Sequence, residues 1–304
     1  MAILQHLSDA SSLSASFSML RSKSVPLLFL ALLSLFAFVA CDGNEDESLP
    51  EVDEEWETIL NPDAQPIIAH RGCWSGDSLP QNSLAAFRKA LRMPILGTEF
   101  DVRQTLDGQL VVCHRAEFDS LEISKTPYQE LCRHRLSNGE TIPLVEDFIR
   151  TYLRENSKVL MVADLKDCDV NVVIDLFKKY DVLHHVLFIS FYKKYCNLLV
   201  NRGFGRISYY MSGNLTPQEV LDAGYGGVDY SHAVYENHPE WISATHELGL
   251  NIGVWLVNKE ELAKQYFFDS VIVTTDKVSS FLSLFESISS LDELAIPRVE
   301  HIEE

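Results

Sequence analysis

The chain has 304 residues, enough for one large domain, and 46% of them are apolar, so a sizeable core is available. Acidic residues outnumber basic ones 44 to 25, a formal charge of −19. Nucleic acid and anionic lipid are both held by basic patches, so this balance argues against either as an electrostatic partner. An anionic substrate would need something local to offset the field, and a bound cation would do so.

The N-terminal stretch reads as a targeting signal. Arg21 and Lys23 precede an apolar run, VPLLFLALLSLFAFVA, over residues 25–40. Its 16 residues are short for a membrane span and suit the apolar core of a signal peptide. The run ends in Phe38-Val39-Ala40-Cys41, which resembles the lipobox of a bacterial lipoprotein. The resemblance implies cleavage before Cys41 and a lipid on its thiol. The basic pair lies deep in the chain, and translation from Met19 would give a more ordinary signal. DGNEDESLPEVDEEWE follows, with nine acidic residues and no basic one through Glu57. Such runs stay solvated and extended. Residues 1–40 are therefore read as a signal peptide, 41–62 as an acidic tether and 63–304 as the folded domain. The expected location is a bacterial cell envelope, anchored to a membrane and either periplasmic or surface-exposed. Besides Cys41 the chain has Cys73, Cys113, Cys132, Cys168 and Cys196, without a CxxC pair, which is neither a zinc pattern nor a disulfide framework.

From about Asn61 onward, extended apolar segments alternate with helical stretches. The segments are PIIAH (66–70), GTEFDV (97–102), QLVVCH (109–114), KVLMVADLK (158–166), VLFISF (186–191), RISYYM (206–211), GGVDYS (226–231), NIGVWLV (251–257) and SVIVTTD (270–276). Leu84, Phe87 and Leu91 mark one helix by their spacing; Leu144, Phe148, Ile149 and Tyr152 mark another. Thr216-Pro217-Gln218-Glu219 and Asn258-Lys259-Glu260-Glu261 each read as a cap residue with Glu three later. One link, RQTLDG, is too short for a parallel crossover, and its Asp107-Gly108 is a turn pair, so the second and third segments form a hairpin. Counting the hairpin once leaves eight βα units, which predicts a TIM (β/α)8 barrel. A doubly wound open sheet is the alternative, but no GxGxxG or P-loop favours it.

In a TIM barrel the chemistry sits where the strands end. The first segment ends in His70-Arg71. Glu99 and Asp101 are i and i+2 on the second and share a face. The hairpin arm ends in His114, and the next segment carries Asp164 and Lys166, again i and i+2. A lone strand-end histidine is an ordinary hydrogen-bonding group, but seven such groups on one rim imply use, because buried carboxylates need partners or a metal. Three carboxylates suit a hard cation, Ca²⁺ or Mg²⁺, better than zinc. The histidines suit proton transfer near neutral pH. Arg71 and Lys166 suit an anion. Together these groups are what phosphoryl transfer requires. Trp255 reads as core, Cys73 as a bystander, and His232, His134, His184 and His185 as lying outside the site.

The motifs resemble those of the glycerophosphodiester phosphodiesterase family: IIAHRG with LPQNS, then EFDVRQTLDGQLVVCHR, then ADLK, and farther on Ser190-Phe191, VWLVN (254–258) and TTD (274–276). The resemblance runs in matching order from about residue 65 to 285. It implies a PLC-like barrel whose Glu99, Asp101 and Asp164 bind a divalent metal, commonly Ca²⁺ or Mg²⁺. It makes His70 and His114 the acid/base pair, and Arg71 and Lys166 the phosphate-binding groups. The implied reaction releases glycerol 3-phosphate and an alcohol from a small-molecule phosphodiester. Gln81 and Asp164 stand where the family has Glu, Arg115 where it has Asp, and the region from Glu117 to Ile142 is shorter than the family's insertion. These departures raise the alternative of a non-catalytic phosphodiester-binding lipoprotein. The tether raises that of a phospholipase-like enzyme acting on intact lipid.

Overall fold

A computed structural model describes residues 61–289, apart from 62 and 77. The expected signal peptide, Cys41 and the acidic tether (save Asn61) lie outside the described residues. The strands are β1 (Gln65–Ala69), β2 (Ile95–Gln104), β3 (Leu110–Val112), β4 (Glu117–Phe118), β5 (Leu121–Glu122) and β6 (Leu160–Asp167). Then come β7 (Val186–Ser190), β8 (Ser208–Tyr210), β9 (Gly227–Ser231), β10 (Asn251–Trp255) and β11 (Ile272–Thr275).

The main sheet runs β1-β11-β10-β9-β8-β7-β6-β2-β3, and a further β1–β2 pairing closes it. Every pairing is parallel except β2–β3, where Val102 opposes Val112. The barrel is thus a closed TIM barrel of eight parallel strands with β3 as a hairpin arm on β2. The hairpin arm stops at Val112, so His114 lies beyond the strand rather than at its end. Among the described strands, the small β4–β5 hairpin was not foreseen; at two residues per strand it carries no readable alternation.

Each barrel strand has two apolar faces. The inner one is small: Ile68, Leu160, Val162, Leu187, Ile189, Tyr209 and Met211 pack together. The outer one meets the helices. On β2, Phe100 points outward to Phe87 and Phe148, with ring centroids at 5.9 and 5.0 Å, and those two rings sit 4.2 Å apart. Helices Leu84–Ala90 and Val145–Glu155 are thereby clamped on the strand. Because alternate residues face opposite ways, burying Phe100 outward forces Glu99 and Asp101 inward. Gly97, next on that inner face, leaves room for its neighbour: a Cβ there would lie 2.9 Å from Val162 Cγ2.

The helix starts follow their caps. Ser83 Oγ accepts from Ala86 N, and Glu140 accepts from Leu84 N and Ala85 N. Thr216 caps as expected, with Glu219 reaching back to its backbone N–H at 2.8 Å. Asn258 does not: the helix there begins at Glu260 after Lys259. The Asn258 side chain is committed elsewhere, as described below. Among the described residues no helix is long and apolar enough to cross a membrane. Of the five described cysteines, Cys73, Cys168 and Cys196 are buried.

Candidate active site

The carboxylates of Glu99, Asp101 and Asp164 converge inside the barrel, one oxygen from each lying within 4.8 Å of the others. They are 3%, 1% and 3% exposed, so water does not solvate them. The parallel register places Asp101 directly opposite Asp164 across β2 and β6. Burial, followed by repulsion from Asp101 and Asp164, pushes the Glu99 carboxyl well above the usual range. Burial likewise raises Asp164 to about 6, although Lys166 opposes it. Asp164 Oδ1 is buried and has no hydrogen-bond partner among the described residues. An all-oxygen triad, desolvated, with an orphaned acceptor, fits a hard divalent cation.

Two protein cations frame the triad. Lys166 Nζ lies 2.5 Å from Asp164 Oδ2 and 3.4 Å from Asp101 Oδ1, and 5.3 Å from the centre of the Phe191 ring. Arg71 Nε lies 3.2 Å from Asp101 Oδ2, and its Nη1 donates to Gln81 Oε1 at 2.8 Å. The backbone of Arg71 is left-handed, φ 55°, which aims its N–H at Glu99 Oε2, 2.8 Å away. Left-handed backbone costs an ordinary residue about 1–2 kcal/mol, and the charge-assisted bond to Glu99 offsets it. Gly72 continues the turn at φ +84°, and a Cβ on it would meet the Ala86 carbonyl carbon at 2.8 Å. Only glycine fits there. Asn82 supports Asp101 twice, donating from Nδ2 to Oδ2 at 2.8 Å and accepting the Asp101 N–H at 3.3 Å.

Two histidines accompany this centre, and His114 feels the charges of Asp101, Arg71, Lys166 and His70. His70 follows β1, and its Nδ1 pairs with Asp276 Oδ1 at 2.8 Å. Asp276 in turn accepts from Asn258 Nδ2 at 2.8 Å, while Asn258 Oδ1 accepts from Asp276 N and Thr275 Oγ1. Burial pushes the Asp276 carboxyl up, but the hydrogen bonds from His70 and Asn258 outweigh it and hold the carboxyl below its usual range. His114 sits exposed at the rim. Its imidazole is held below the usual value by partial burial first, with Arg71, Lys166 and His70 adding to the shift and Asp101 opposing it. Arg103 anchors the loop by donating to the His114 carbonyl at 2.8 Å.

The structure therefore brings together all seven expected barrel residues, His70, Arg71, Glu99, Asp101, His114, Asp164 and Lys166. Sequence reasoning missed Asp276, Asn258, Asn82 and Asp229. Asp276 ends the last barrel segment and was findable by the strand-end rule that flagged His70. Asp229 projects into the barrel from β9, pushed up to about 8 by burial and then by Asp164. Gly253 faces it: a Cβ there would lie 2.6 Å from Asp229 Oδ1. Trp255 is half-buried against Phe191, and its Nε1 donates to the Asp229 carbonyl at 2.9 Å. Cys73 is buried in the outer core.

Fold and site together define a TIM barrel with a buried acidic centre, flanked by histidines and cations at its C-terminal mouth. The sequence profile of the glycerophosphoryl diester phosphodiesterase family matches residues 70–201. A crystal structure of a glycerophosphodiester phosphodiesterase from Parabacteroides distasonis is 27% identical, with a TM-score of 0.71, covering 75% of this chain and all of that one. A probable glycerophosphodiester phosphodiesterase of Mycobacterium tuberculosis is 31% identical over 27% of this chain and 33% of its own length. Glycerophosphodiester phosphodiesterase 1 of Bos taurus is 28% identical over 54% of this chain and 50% of its own. The chain thus spans half or less of these two curated relatives. Over the matched residues it is similar to the glycerophosphoryl diester phosphodiesterase family.

Proposed function

We propose that the protein hydrolyses glycerophosphodiesters to glycerol 3-phosphate and an alcohol, with Ca²⁺ or Mg²⁺ held by Glu99, Asp101 and Asp164. The observation that carries this reading is the convergence of those three buried carboxylates. A structural relative from Oleispira antarctica, 19% identical with a TM-score of 0.62, is a phosphodiesterase in complex with the product sn-glycerol-3-phosphate. A divalent cation on the triad supplies Lewis-acid polarisation of a phosphoryl oxygen and offsets the negative field.

The chain's own residues do the rest. Arg71 and Lys166 bind the remaining phosphoryl oxygens, the arginine as a planar fork. His114, held below its usual value and so neutral near pH 7, takes the proton of the attacking water as its oxygen bonds to phosphorus. The phosphorus–oxygen bond to the alcohol breaks, and that oxygen takes a proton from His70. Asp276 holds Nδ1 of His70, so Nε2 is the nitrogen that donates. The departures from the family pattern leave the centre intact. Gln81 still accepts from Arg71, and Asp164 still joins the triad despite its shorter arm.

The assay is release of glycerol 3-phosphate from glycerophosphodiesters with Ca²⁺ or Mg²⁺, with and without EDTA. EDTA-sensitive turnover, lost in His70→Ala and His114→Ala, supports the reading. Cation binding without turnover of any diester refutes it in favour of a binding protein, and turnover of acylated lipid alone points to a phospholipase. The same proposal places the enzyme at a bacterial envelope membrane through a lipid on Cys41. Fatty-acid labelling that persists in Cys41→Ser would overturn that part.

A further inference from the structure

Asp229 is a buried carboxyl that the proposed mechanism does not use. It is 4% exposed, and its Oδ1 has no hydrogen-bond partner among the described residues. Such a group costs stability unless something taken up by the barrel completes it. The parallel register sets it beside Gly253. Carried round the closed barrel, the register places Glu99, Ile189, Asp229 and Thr274, from alternate strands, in one inward layer. Three strands separate β9 from β2 on either side, so Asp229 faces Glu99 across the barrel. We infer that Asp229 is the fourth carboxylate of the cation site, holding the divalent ion from the far wall through the ion's hydration water. This rests on the cation reading of the triad and adds a residue outside it.

Charge argues for a fourth group. Lys166 and Arg71 already pair with Asp164 and Asp101. Three carboxylates against two protein cations leave the triad one net negative charge for an ion that carries two, and Asp229 supplies the other. Distance argues that it acts through water. The triad oxygens lie within 4.8 Å of one another, and Asp229 is not in that cluster. A hard cation keeps part of its hydration shell, and carboxylates beyond the direct ligands strengthen a metal site. Asp229 nevertheless feels the triad: burial, then the charge of Asp164, pushes its carboxyl up to about 8. A buried carboxyl with no counter-charge holds its proton near pH 7, and a cation on the triad supplies that counter-charge. Gly253 keeps the place open, since a Cβ there would lie 2.6 Å from Asp229 Oδ1.

The test titrates Ca²⁺ and Mg²⁺ calorimetrically into the full chain as wild type, Asp229→Asn, Asp101→Asn and, as a charge control on the outer helix, Glu286→Gln. Asp229→Asn should weaken the affinity roughly 10- to 100-fold, the scale of a group acting behind the direct ligands. Asp101→Asn should weaken it more, and Glu286→Gln should leave it within about two-fold. Without cation, Asp229→Asn should melt no lower than the wild type, because a carboxyl without a partner has no bond to lose. An Asp229→Asn affinity within about two-fold of wild type, while Asp101→Asn weakens it, overturns the role of Asp229 alone. An equal loss in Glu286→Gln makes the effect one of net charge and overturns that role as well, as does a loss accompanied by a lower cation-free Tm. A wild type that binds neither ion, or binding that Asp101→Asn leaves unchanged, overturns the cation reading of the triad, and the fourth carboxylate with it.

Discussion

Replacing Asp276 by Asn tests the proton-transfer scheme most directly. The carboxylate accepts from His70 Nδ1 and from Asn258 Nδ2, both at 2.8 Å. An asparagine of the same shape has one oxygen for those two donors. If that oxygen stays with Asn258, the new amide N–H faces Nδ1 of His70. Nδ1 must then act as an acceptor, and the proton moves to Nε2 of a neutral ring. A neutral imidazole is a far weaker acid than an imidazolium, so the alcohol leaves unassisted. The lost charge-assisted bond is worth about 1.5–3 kcal/mol, and at about 1.4 kcal/mol per decade this predicts a fall in kcat of roughly 10- to 150-fold. KM should change little, because Asp276 is not placed on the substrate. Asp276→Glu should restore part of kcat by restoring the carboxylate. Steady-state kinetics across the neutral range read all of this. A kcat within about two-fold of wild type would refute the reasoning.

Other consequences are equally open to measurement. A carboxyl raised in the folded state holds its proton more tightly than the unfolded chain does, so its ionisation subtracts stability as pH rises. For Asp164 that loss runs from about 4, the unfolded value, through about 6; thermal melts without divalent cation should show Tm falling over that window. Ca²⁺ or Mg²⁺ should raise Tm more above that window than below it, and an equal rise at both ends would exclude the triad as the binding site. Gly72→Ala should lower stability by at least the roughly 1–2 kcal/mol of left-handed backbone, measured by chemical denaturation, because its Cβ would also strike Ala86. Phe100→Ala should cost about 3–5 kcal/mol by the same measurement; a loss below 1 kcal/mol would mean that the Phe87–Phe148 clamp closes over the gap.

The barrel was legible because its signals are local and repeated. Apolar segments of strand length recur between helical spacings, and Asp107-Gly108 marks the only link that had to be a hairpin. The triad was legible because Glu99, Asp101 and Asp164 interrupt segments that are otherwise apolar on both faces. Asn258 shows the opposite case. Its neighbours read as a helix cap, but Asp276 and Thr275, distant in sequence, offer its amide three hydrogen bonds that the helix end cannot match. Asn82 escaped for a similar reason: its partner Asp101 is on another element. Local pattern finds the groups that break a pattern; it cannot find the supports that a distant strand recruits.

The pairing of His70 with Asp276 spans 206 residues. The first strand of the barrel is held between the second and the last, so the working imidazole waits for the final strand before it gains its partner. During synthesis nearly the whole domain must emerge before the ring can shut, and long-range closure of this kind is slow. The acidic triad comes from β2 and β6, the second and third barrel strands, so its residues are all made long before Asp276 supplies the partner of His70. The last strand to be made is thereby also the one that leads into the partner of this imidazole.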